Sequence, residues 1–244
     1  GVTTWEGLIK SVRAKVKGTK VKIRLGASSG EWKAMVADEA ARTTFAKNIK
    51  TVLEKNKLDG IDLDFEWAEN EKEYKDYSLA ILKMREVLGD KYLFSVSLHP
   101  VCYKISKEAI EAVDFISLQC YGPSPVRFPI EKYCSDIQMV LEYGIPKEKL
   151  VAGVPFYGVT KDNSKKTEAY FNFVQNGLVT SPAQNEVIYQ GDTYVFDGQD
   201  NIRIKTRYAK EQKLKGMMSW DLATDLPLSD SRSLLKTMTE ELRE

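Results

Sequence analysis

Short apolar runs alternate along this chain with longer amphipathic stretches rich in Lys and Glu. That alternation belongs to a parallel sheet, whose neighbouring strands need long crossovers and whose two faces must be covered. The runs at 20–25, 60–65, 92–98, 115–121, 150–156 and 216–220 read as six strands. Helical stretches are expected at 4–17, 31–57, 71–88, 107–112, 130–143, 166–176, 206–214 and 231–242. One segment breaks the rhythm. Residues 186–205, EVIYQGDTYVFDGQDNIRIK, alternate with a period near two and carry turn signals at Gln190-Gly191-Asp192 and Asp197-Gly198. They read as an antiparallel excursion between the last two parallel strands. Neither GxGxxG nor GxxxxGKS/T sits at any strand-to-helix turn, so a doubly wound nucleotide-binding sheet gives way to an α/β chain of (β/α)8 TIM-barrel type.

Composition narrows the function classes. The 244 residues are 43% hydrophobic and 29% charged, as in one globular domain. Lys and Arg number 36 against 35 Asp and Glu, a net charge of +1, which gives no electrostatic case for a nucleic-acid partner. No apolar run approaches the roughly 20 residues of a membrane span, and the first residues lack the basic and apolar regions of a signal peptide. A monomer without a cofactor is expected. The single histidine, His99, leaves no pair for an HExxH zinc site, and a Ser-His-Asp or Cys-His arrangement would depend on it alone. Cys102, Cys120 and Cys134 are too few and too irregular for a disulfide framework or a CxxC metal site, although one pair could bridge.

The stretch Asp59-Gly60-Ile61-Asp62-Leu63-Asp64-Phe65-Glu66-Trp67 carries the chemistry. Side chains alternate across a strand, so Asp62, Asp64 and Glu66 share one face while Ile61, Leu63 and Phe65 share the other. In a closed barrel the acidic face points inward, and Glu66 reaches the C-terminal rim where barrel enzymes keep their chemistry. Carboxylates about 6–7 Å apart in a water-poor site cannot all ionise cheaply, so at least one should hold its proton to higher pH. Such an acid is a general acid. The competing readings are a solvent-facing acidic edge strand or a hard-cation site, but the spacing lacks the Gly and Asn of a calcium loop.

DGIDLDFEW resembles the DxxDxDxE signature of glycoside hydrolase family 18, the chitinases and endo-β-N-acetylglucosaminidases. Val113 through Tyr121 resembles that family's sixth strand, Val151 through Gly158 its seventh, and Gly216 through Trp220 its eighth. The resemblance implies retaining hydrolysis of β-1,4 bonds next to N-acetylglucosamine, in chitin or related glycans. It makes Glu66 the general acid. It implies that the substrate's own 2-acetamido oxygen attacks the sugar, with Asp64 orienting that group and Asp62 sharing a proton behind it. Tyr121 would bond the acetamido carbonyl, and Trp220 would stack under the sugar. Gln119, Asp221 and Tyr157 are weaker substrate-binding candidates, and Asp59 is expected to fix its strand. A secreted or cell-envelope location is also implied, with a polysaccharide as partner.

Three departures from the family pattern matter. Arg24-Leu25-Gly26-Ala27 stands where the third strand usually ends in SxGG, and Gly122 stands where Asp or Asn is common. The run 20–25 resembles the third strand, so strands 3 to 8 are expected in residues 1–244, with the first two supplied upstream. Residues 159–205 would form an insertion-like excursion. Two rival functions remain at this point: a non-catalytic chitinase-like lectin, which typically lacks the acid that Glu66 supplies, and a metal-dependent phosphodiesterase, for which acids on one strand and a lone His are poor ligands.

Overall fold

The computed structural model describes residues 5–28 and 30–243, and the chain divides into two compact units, Gly1–Ile116 and Ser117–Glu244. Each of the six strands read from the sequence overlaps a strand among the described residues, but the first lies at Arg24–Ala27 rather than 20–25 and the fourth, Phe115–Leu118, stops short of residue 121.

The first unit begins with α1 (Trp5–Lys15), a helix with no buried residue; Thr4, the first residue of the expected helix, lies outside the described residues. Arg13 ties α1 down by donating to the carbonyls of Asn56 and Lys57. There follow β1 (Arg24–Ala27), α2 (Trp32–Ala37), α3 (Glu39–Asn56), β2 (Gly60–Leu63), α4 (Glu71–Leu88), β3 (Leu93–Leu98) and α5 (Lys107–Ala112). The expected helix over 31–57 is two helices because Asp38 adopts an extended backbone and its carboxylate accepts from the Ala41 N–H, capping α3. Asn70 and Ser106 cap α4 and α5 in the same way, which is why those helices start where the sequence suggests. Strands β1, β2 and β3 pair in parallel, in that order. Gly60 is required there, since a Cβ at this position would sit 1.9 Å from the Leu93 carbonyl oxygen.

Strand β4 (Phe115–Leu118) starts in the first unit, where the neighbouring Asp114 N–H bonds the Phe94 carbonyl. The second unit continues with α6 (Ile130–Tyr143), β5 (Leu150–Pro155), β6 (Tyr157–Thr160), β7 (Thr167–Ala169), α7 (Tyr170–Gln175), β8 (Glu186–Tyr189), β9 (Asp192–Val195), α8 (Gln199–Glu211), β10 (Gly216–Trp220) and α9 (Leu234–Arg243). Strands β5 and β10 pair in parallel. The antiparallel excursion is a four-stranded sheet ordered β7-β6-β9-β8, packed on Phe173, Tyr194 and Phe196.

The excursion differs from its sequence reading at both ends. Residues 199–205 are helical, not extended: α8 buries Ile202, Lys205, Thr206 and Ala209 on a helical period and leaves Ile204 exposed. The expected helix over 166–176 begins instead as β7, because Thr167 and Ala169 pair with Val159 and Tyr157. Among the described residues no helix is long and apolar enough to cross a membrane. All three cysteines carry free thiols.

Candidate active site

Alternation along the acidic stretch survives folding in full. Ile61, Leu63 and Phe65 are buried, whereas Asp62 and Asp64 are half-covered and Glu66 is exposed. The regular ladder ends at Leu63, two residues short of the expected strand, although the Asp64 N–H still donates to the Ala27 carbonyl at 2.9 Å. Asp64 and Glu66 therefore sit just past the C-terminal end of β2.

The Asp62 side chain is 17% exposed. Ser97 Oγ donates to its Oδ2 at 2.7 Å, Ser95 Oγ donates to its Oδ1, and Arg24 Nη1 lies 4.0 Å from Oδ1. Burial raises its proton affinity above the usual carboxylate range, against the two hydroxyls and the Arg24 charge, which pull it down. Nearby negative charge and burial together hold the Tyr77 hydroxyl well above its ordinary value, burial being the larger cause. Asp59 takes another role in this geometry. Its carboxylate accepts the Ile23 N–H at 2.8 Å and lies 3.6 Å from Lys22 Nζ, joining the approach to β1 to the start of β2.

The backbone of Glu66 is anchored from below. Trp32, 1% exposed, donates its Nε1–H to the Glu66 carbonyl at 3.1 Å while its ring lies flat on Phe65 at 5.4 Å. The following residues are held as well: Trp67 packs on His99 at 4.7 Å, and the Ala68 N–H meets Cys102 Sγ at 3.1 Å. The Glu66–Trp67 and Trp220–Asp221 peptide bonds are cis.

The remaining candidates lie in the second unit, at or just past the C-terminal ends of β4, β5 and β10. Gln119 and Tyr121 are buried, and Tyr121 points its hydroxyl at Met218 Sδ, 3.5 Å away. Its ring meets Tyr157 edge-on at 6.4 Å. Gly153 leaves room for that ring, since a Cβ there would come within 2.9 Å of it. Trp220, in register with Pro155, is 55% exposed. Asp221 is occupied as the cap of the turn at Leu222–Thr224, accepting from Ala223 at 2.7 Å. Among the described residues no group of three or more His, Cys, Asp or Glu is placed to hold a metal ion.

The model of the glycosyl hydrolases family 18 matches residues 5–225. The chain belongs to that family. A relative of this family 18 chain, the probable chitinase 2 of Drosophila melanogaster, is 23% identical over 273 residues, covering 84% of the chain and 56% of the relative. The chain thus spans about half the length of that relative. A chitinase from Bacteroides thetaiotaomicron superposes with a TM-score of 0.85 at 21% identity, covering 99% of this chain and 82% of the other, and so shows the barrel-type fold. The chitinase-like agglutinin of Robinia pseudoacacia superposes with a TM-score of 0.80 at 18% identity over 97% of this chain and 85% of its own.

Arg24, Ser95, Ser97 and Trp32 were not singled out by the motif. Ser95 and Ser97 stand two apart in a buried strand, a spacing that puts two hydroxyls on one face and is the signal available in the sequence.

Proposed function

We propose that the chain is a retaining glycoside hydrolase that cleaves β-1,4 bonds next to N-acetylglucosamine, in chitin or related glycans, with Glu66 as the general acid. The observation that supports it is the acidic row at the C-terminal end of β2, graded from a part-covered, hydroxyl-bound Asp62 to an exposed Glu66 on an anchored backbone. In this reading the Glu66 carboxyl donates its proton to the glycosidic oxygen as the bond from that oxygen to the anomeric carbon breaks. The substrate's acetamido carbonyl oxygen attacks the same carbon from the opposite face, giving a cyclic oxazolinium ion. Asp64 accepts the acetamido N–H and balances the positive charge. Water, losing its proton to the Glu66 carboxylate, then opens the ring, so two inversions leave a β-configured product. By the family resemblance Tyr121 is assigned to the acetamido carbonyl and Trp220 to the sugar face.

A second reading, a glycan-binding protein without catalysis, is favoured by the likeness to the Robinia agglutinin. One experiment separates them. The full chain is offered chitin oligomers, murein fragments and a high-mannose glycopeptide, with products read by mass spectrometry and the first-formed anomer by proton NMR. Cleavage giving the β-anomer is expected. Binding without cleavage selects the second reading, and early α-anomer contradicts the acetamido route.

A further inference from the structure

Arg24 opens β1 with a guanidinium turned toward the acidic row, three-quarters covered by its surroundings. Its Nη1 donates to Ser95 Oγ on β3, which in turn donates to Asp62 Oδ1, and the same nitrogen lies 4.0 Å from that oxygen. The Ile61 carbonyl accepts a longer bond at 3.5 Å, and the guanidinium carbon stands 4.7 Å from the Phe115 ring centre. Asp114 adds a second negative charge, itself paired with Arg85 at 2.9 Å. Asp62 accepts from Ser97 on β3, its charge acts on the Tyr77 hydroxyl on α4, and Asp64 follows two residues on, just past the end of β2. Among these groups Arg24 is the cation nearest Asp62, and its contacts to Ser95, the Ile61 carbonyl and the Phe115 ring hold it there.

We infer that Arg24 is a positioning residue of the reaction: a counter-charge locked through Ser95 that helps set how the Asp62 end of the Asp62, Asp64 and Glu66 row holds a proton. This rests on the reading of that row as catalytic. The physical ground is the distance. An opposite charge within about 4–6 Å lowers a carboxyl's proton affinity by about 1–3 pH units, and here it works against burial together with the Ser95 and Ser97 hydroxyls. Coupled carboxylates titrate as a set, so a proton held more tightly at Asp62 changes the charge felt at Asp64 and Glu66.

The test titrates the full chain, labelled with 13C at the aspartate side-chain carboxyl, by NMR, using Asp62→Asn to assign the Asp62 signal. In Arg24→Gln the Asp62 midpoint should rise by about 1–3 pH units, and Arg24→Lys should return most of that shift. The acid limb of the hydrolysis profile should move in the same direction with KM little changed. Ser95→Ala, which keeps the cation but removes both its lock and the hydroxyl that Asp62 accepts directly, is the second variant and should also raise the midpoint. An Asp62 midpoint unmoved in a folded Arg24→Gln or Ser95→Ala protein overturns the proposal. The titration needs no substrate, so that failure is distinct from inactivity toward every glycan, which overturns the hydrolase reading instead.

Discussion

Trp32→Phe isolates the link between a buried helix residue and the proposed acid. The substitution keeps an aromatic ring on Phe65, which Trp32 stacks at 5.4 Å with planes 10° apart, and removes the Nε1–H that the Glu66 carbonyl accepts at 3.1 Å. Loss of one hydrogen bond costs about 0.5–1.5 kcal/mol. The smaller ring leaves part of the indole volume empty at a site 1% exposed, a fraction of the roughly 3–5 kcal/mol that full truncation to Ala costs, about 1–2 kcal/mol. The expected destabilisation is therefore about 2–3 kcal/mol, read from urea unfolding followed by circular dichroism. The effect on turnover has a separate origin. A carbonyl released from its donor lets the Glu66 backbone drift, and a misplacement near 1 Å can cost about 100-fold in rate. Assays on N-acetylglucosamine oligomers should show kcat falling by about 10-fold or more with KM nearly unchanged. A variant that loses the stability and keeps its kcat would refute the anchoring role.

Lys205→Met should destabilise the chain by about 3–5 kcal/mol, because Lys205 and Asp197 form a fully buried pair at 2.6 Å and the variant leaves a buried carboxylate without its cation. Urea unfolding checks it, and a loss below about 1 kcal/mol would contradict the pairing argument, given that range. Asp62→Asn should raise stability at neutral pH. Burial lifts the folded-state proton affinity of Asp62, so its contribution is favourable while protonated and is lost as pH rises from the unfolded value through the folded one. The advantage of the Asn variant should close as pH falls below the usual carboxylate range, and melting temperatures taken from about pH 3 to about pH 8 would show it. An advantage independent of pH would place its origin outside the carboxyl's ionisation.

Much of the architecture was legible because periodicity and caps agreed. Helices α4, α5 and α6 have the bounds expected from the sequence, and two of them carry side-chain caps at their first turns. The acidic face of β2 was readable from alternation alone. Errors arose where two periods fit the same residues. Ile202 and Ile204 look like one face of a strand, yet α8 sorts them to a buried and an exposed position. In the stretch 167–169, pairing with β6 overrode a helical reading. Partners from distant strands were invisible for a different reason. Arg24 and Ser95 stand far apart in sequence, and their convergence on Asp62 depends on the register of β1, β2 and β3.

The most direct measurement is the hydrolysis rate of Glu66→Gln on N-acetylglucosamine oligomers, taken beside oligomer binding by calorimetry. The amide keeps the shape of the acid and cannot supply its proton. If Glu66 is the general acid, the rate falls by about 100- to 10,000-fold while binding stays within a few-fold of the parent. A variant that keeps more than about a tenth of the parent's rate removes Glu66 from that role.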